Sequence, residues 1–125
     1  METNINEIEV NGVVYVRKDS VKQSQNAEKL DGMKYCIVRT YSAGVFAGYV
    51  KRRDGKEAEL VNARRLWKWS GASTLSQLAM EGTKNPDNCK FPCEVGCIEL
   101  TEVIEVIHCT DEAKKSIAGV KVWEQ

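Results

Sequence analysis

Three short runs of strand-forming residues, set apart by two tight-turn signals, constrain the fold of this chain more than any other feature. Met33-Lys-Tyr-Cys-Ile-Val-Arg-Thr40 has an apolar centre, and Val45-Phe-Ala-Gly-Tyr-Val50 is apolar and aromatic. Glu57-Ala-Glu-Leu-Val61 alternates charged with apolar side chains. Runs of this kind read as strands. Tyr41-Ser-Ala-Gly44 and Arg53-Asp-Gly55 supply the turns. Connections this short return a strand beside its predecessor in the antiparallel sense, so a three-stranded meander is expected.

Beyond the meander the pattern predicts two short helices and more strand. Ser73 is the expected cap of a helix whose apolar stripe is Leu75, Leu78 and Ala79, and Gly82 ends it in the left-handed position. Residues 83–92 read as a loop marked by Asn85-Pro-Asp-Asn88. Residues 98–107 are rich in β-branched side chains but lose their alternation at Val103-Ile104, which predicts one strand bulged near Glu102. Thr110 caps a second helix over 111–117, with Asp111 and Glu112 where the helix dipole favours acids. Gly119 ends that helix, and Val120-Lys-Val-Trp123 reads as a last strand. Upstream, Asn11-Gly12 between β-branched residues signals a hairpin over 8–16, and 21–32 is a polar linker. The predicted class is α+β: a mainly antiparallel sheet with two short helices and an N-terminal β-hairpin extension. Residues 1–32 form the extension and linker, and 33–125 the ligand-binding core.

Charge and length limit the functions open to such a fold. The 125 residues suit one domain with one core. Eighteen basic and eighteen acidic side chains cancel to a net charge of +0. A DNA or RNA polymer binder usually carries a basic surplus, so that class is disfavoured, while one localised basic pocket is compatible with neutrality. There is no apolar run long enough to span a membrane and no signal-peptide pattern, so a cytosolic location is expected. The five cysteines are an odd set for a disulfide framework. Cys89, Cys93 and Cys97 form a C-x3-C-x3-C run that misses the usual zinc spacing, and the only histidine, His108, would have to supply a nitrogen ligand. No metal and no cofactor are expected.

The candidate site is a collection of arginines, aromatics and small residues. Arg39-Thr-Tyr-Ser-Ala-Gly44 and Asn62-Ala-Arg-Arg-Leu-Trp-Lys-Trp69 bring Arg39, Arg64 and Arg65 near Tyr41, Trp67 and Trp69. Guanidinium groups match phosphate bidentately, and flat rings stack on bases. Ser42, Ala43 and Gly44 would offer backbone N–H donors to an anion. Phe91 is a further stacking surface. Arg64 and Arg65 are adjacent, so in an extended stretch only one faces any given pocket. The alternative reading assigns the tryptophans to core and the arginines to the surface. A catalytic reading is weaker, because a single histidine leaves no nucleophile–base pair and the glycines form no phosphate-loop pattern. The expected activity is binding.

From Met33 onward the chain resembles the phage-encoded Thoeris anti-defence proteins of the first type. The matching segments are Tyr35-Cys-Ile-Val-Arg-Thr-Tyr-Ser-Ala-Gly-Val45, Arg53-Asp-Gly-Lys-Glu57, Asn62-Ala-Arg-Arg-Leu-Trp-Lys-Trp-Ser-Gly-Ala72 and Leu75-Ser-Gln-Leu-Ala79. Lys90-Phe-Pro-Cys-Glu-Val95, Leu100-Thr-Glu-Val-Ile104, Ser116-Ile117 and Trp123 continue the likeness. Gly96-Cys97 departs from it, standing where a proline and an acidic residue are expected. The resemblance implies a sponge: a protein that captures a cyclic ADP-ribose immune signal such as glycocyclic ADP-ribose intact, in the cytoplasm of the infected bacterial host. It also implies a homo-oligomer, dimer or hexamer, with ligand at a subunit interface. In some members cyclic di- or trinucleotides of the CBASS defence system are captured at separate sites. On this resemblance the ligand-binding set is Arg39, Tyr41, Ser42, Ala43, Gly44, Asn62, Arg64, Arg65, Trp67, Trp69 and Phe91, with no catalytic residue. An enzyme that degrades a cyclic nucleotide, or a small phage structural or regulatory module, is the alternative.

Overall fold

The apolar runs pair into one antiparallel sheet. In the computed structural model, which describes residues 26–124, β1 (Lys34–Thr40), β2 (Val45–Asp54) and β3 (Glu57–Arg65) form the expected meander. β4 (Val95–Leu100) and β5 (Val103–His108) complete a five-stranded sheet of order β4-β3-β2-β1-β5. Helix α1 (Leu75–Glu81) and helix α2 (Asp111–Ala118) cover one face. The fold is therefore α+β and mainly sheet, as the sequence predicts. The hairpin expected over 8–16 lies outside the described residues. Among the described residues no helix is long and apolar enough to cross a membrane.

The segment over 98–107 is two strands, where the sequence reading predicts one bulged strand. Leu100 pairs with Ala58 at one edge of the sheet and Val103 with Thr40 at the other. Three residues of chain reach about 10 Å at most. On a flat sheet Arg53, the β2 partner of Ala58, and Val45, the β2 partner of Arg39 beside Thr40, would lie about 26 Å apart along β2. The sheet must therefore curl until its edges meet, and the Val103 N–H donates to the Lys56 carbonyl at 2.8 Å across the seam. The lost alternation at Val103-Ile104 marks the chain stepping from one edge to the other.

Two irregularities bend the sheet enough to close it. The β2–β3 register shifts between Ala47 and Tyr49, opposite Asn62, whose φ is +51°. A Cβ on Gly48 would stand 2.6 Å from the Ala63 Cβ, so only glycine lets the strands approach there. A second shift lies between Val50 and Arg52. Bulges of this kind bend a strand and raise its twist.

Curling gives the sheet two cores. Inside it pack Cys36, Val38, Phe46, Leu60, Ala63 and Val103. Outside, Tyr35, Ile37, Ala47, Leu66 and Phe91 pack under Leu78, Ala113 and Ile117 of the helices. The cap of α1 is Thr74, whose hydroxyl accepts from the Gln77 N–H at 3.1 Å; the expected cap, Ser73, instead donates its backbone N–H to the Gln77 side chain. Gly82 ends α1 at φ +75°. Thr110 caps α2 as predicted. The last strand expected over 120–123 is reduced to one parallel bridge between Val122 and Phe91, with the Trp123 N–H donating to the Phe91 carbonyl.

Candidate functional site

The eleven residues singled out from sequence divide into three groups. Asn62, Arg64 and Phe91 belong to the framework. Asn62 supplies the left-handed bulge residue in β3, a conformation asparagine tolerates better than most side chains. That bulge sends Ala63 inward and Arg64 outward under the helices. Arg64 is 4% exposed, and its guanidinium donates to the carbonyls of Phe91 (2.8 Å), Pro92 (3.1 Å), Ile117 (3.1 Å) and Val120 (2.9 Å). It also lies 5.4 Å over the Phe91 ring. Burial pushes its pKa below the ordinary arginine value. The expected phosphate clamp is thus a pin between β3, the 90–92 segment and the end of α2. Phe91, at 0% exposure, is core and presents no face to a base.

The second group surrounds the β1–β2 turn. Tyr41 is 78% exposed, and Gly44 takes φ +103°, a value that favours glycine. The Thr40 N–H and hydroxyl both donate to the Gly44 carbonyl. Acidic partners occupy the Arg39 guanidinium, expected to meet phosphate, and the Ser42 hydroxyl. Arg39 Nε donates to Glu105 Oε1 at 2.9 Å, and Ser42 Oγ donates to Glu102 Oε1 at 2.7 Å. Arg65 is exposed, lies 4.7 Å over the Phe46 ring and runs past Gly44. Ala43 is exposed beside it.

The third group is aromatic. The Leu66 N–H donates to the Val45 carbonyl, so Trp67 leaves β3 beside the β1–β2 turn. Trp67 is 57% exposed and stacks on Trp123, with centroids 5.2 Å apart and planes 4° from parallel. Lys90 Nζ lies 5.6 Å from one ring centre and 5.5 Å from the other. Trp69 is half-buried against the outer core. With Lys68, Ser70, Asp87, Lys90 and Trp123 it lines a cleft of about 390 Å³. Beneath that cleft, buried Cys89 Sγ accepts from the Ser70 N–H at 3.4 Å, and Thr83 Oγ1 donates to the Ser70 carbonyl. Cys93 and Cys97 are exposed elsewhere, Cys97 donating to Glu59 at 3.2 Å. Among the described residues no three metal-ligating side chains gather.

The exposed Trp67–Trp123 stack can offer a ring surface to a flat ligand, and the adjoining cleft, lined by Lys68 and Lys90, can meet an anionic group. The sequence reading missed Trp123 and Lys90 as site residues. Trp123 is hidden because its segment has the pattern of a strand, whose partner the local sequence does not specify.

Residues 33–117 match the DUF6948 domain, a domain of unknown function. The chain belongs to that family. No curated protein and no solved structure matches the chain. The DUF6948 domain carries the sheet, both helices except Ala118, Trp67, and the Trp69 and Lys90 side of the cleft, while Trp123 lies beyond the matched span.

Proposed function

We propose that this DUF6948 protein is a binding module that captures a nucleotide-type ligand and holds it unaltered. The carrying observation is the exposed Trp67–Trp123 stack with Lys90 over both rings, beside a cleft of about 390 Å³. A base stacked on an aromatic platform contributes about 1–3 kcal/mol, and the lysines add charge pairing to phosphate. In its most specific form the ligand is a cyclic ADP-ribose signal such as glycocyclic ADP-ribose, sequestered in the cytoplasm of an infected bacterium to silence Thoeris. Cyclic di- or trinucleotides are a further ligand class. The proposed assembly is a homo-oligomer, in which a second copy of the chain would supply an opposing wall for the base. Arg65 is the arginine best placed for phosphate, because Arg64 is spent on carbonyls and Arg39 on Glu105.

The test is thermal unfolding of the full chain against cyclic ADP-ribose isomers and cyclic oligonucleotides, with the ligand then recovered and weighed by mass spectrometry. A raised melting temperature with intact ligand is expected, since a ligand at a hundredfold its Kd stabilises by about 2.7 kcal/mol. Recovery of a cleaved product would make the protein an enzyme. No shift with any compound would leave the stack as packing alone.

A further inference from the structure

At the other end of the curled sheet a cavity of about 400 Å³ opens over the inner core. Its floor is Cys36, Val50 and Val106, and its rim is Lys34, Arg53 and His108, from three different strands. Strand register explains the convergence. Lys34 lies two residues before Cys36 and so shares its inward face; Val50 is opposite Lys34, and His108 is opposite Cys36. Arg53 joins them because of the bulge between Val50 and Arg52. The bulge pairs Arg53 with inward-facing Ala58 and leaves Arg52 to meet Glu59 on the other face.

Some surface cations of the described residues have an acidic partner, and those at this mouth do not. Arg39, Lys51, Arg52, Lys84 and Lys115 each lie within 4 Å of a carboxylate. Among the described residues no carboxylate lines this mouth, and none pairs with Lys34, Arg53 or His108. Lys34 and Arg53 are like charges over an apolar floor, and an anion between them offsets their repulsion. We propose that this mouth is a binding site for a small organic anion, a phosphate or carboxylate group carried on an apolar body. The anion meets Lys34, Arg53 and His108, and the body rests on Val50 and Val106. The site is separate from the tryptophan cleft and stands whether or not that cleft binds a nucleotide.

The experiment is an NMR titration of the isotope-labelled full chain with phenyl phosphate, benzoate, inorganic phosphate and phenol. Saturable shifts at residues 34–36, 50–53 and 106–108 are expected with the first two. Inorganic phosphate should bind more weakly and phenol should not bind. Arg53→Gln and Lys34→Gln should each weaken phenyl phosphate about tenfold while leaving the remaining spectrum in place, and Trp67→Ala should change nothing here. Absence of saturable shifts at millimolar ligand, equal affinity for phenol, or full affinity in both Gln variants would overturn the proposal.

Discussion

A guanidinium that donates to four main-chain carbonyls holds more of the molecule than a surface charge can. Arg64 joins β3, the 90–92 segment and the end of α2 through those bonds. Its removal would strand buried acceptors, each costly to leave unpaired. Arg64→Ala is therefore expected to lower unfolding free energy by about 3 kcal/mol or more, measured by urea denaturation. Arg64→Lys should recover little of it, because one ammonium cannot reproduce the planar fork. Trp67 and Trp123 should behave in the opposite way. Trp123→Ala is expected to weaken nucleotide binding by about 1–3 kcal/mol with a nearly unchanged melting temperature. Isothermal titration beside a thermal scan separates the two effects, and a lost fold would mean that the stack is structural. Local sequence shows two adjacent arginines of one type. The Asn62 bulge decides which is buried, and that depends on a partner strand the local pattern does not specify.

Among the elements, the helix ends and the sheet corners carry the sharpest tests. Thr74→Ala should cost about 1 kcal/mol, whereas Ser73→Ala should be nearly neutral, because only Thr74 accepts with its hydroxyl. Gly48→Ala should destabilise by about 1–3 kcal/mol, since the Ala63 Cβ stands where the new methyl must go. Chemical denaturation of the three variants checks both statements. The meander, the two helices, Gly82 and the Thr110 cap were legible because period, turn and cap residues are local. The division of 98–107 into two edge strands was not legible. It follows from closure of the sheet, which is set by bulges at Gly48 and Lys51 far along the chain. Likewise the polar run of candidate residues looked contiguous. Successive strand residues face opposite ways, which left Arg64 buried under the helices and Arg65 exposed on the other face.

At the scale of the whole molecule, closure produces one core inside the sheet and one between sheet and helices, each with a buried thiol. Burial pushes Cys36 in the inner core up to about 11 and Cys109 in the outer core up to about 12, from an ordinary 9.0. Burial raises Tyr35 as well. Between these values the unfolded chain has released protons that the folded chain still holds. Stability is then full below pH 9 and falls as pH rises through the folded values. The slope is at most about 1.4 kcal/mol per pH unit for each thiol. Urea midpoints compared at about pH 8 and about pH 10 should show the loss, and Cys36→Ser and Cys109→Ala should each flatten it.

Trp123 reaches the site on a tail of about five residues after α2, held by Arg64 and by its own N–H on the Phe91 carbonyl. The sheet and helices close without it, and it falls outside the 33–117 span that defines the domain. One ring of the platform thus follows β3 and the other follows α2. Changing the ring at position 123 alone would retune the stacking surface without altering a residue of the 33–117 scaffold.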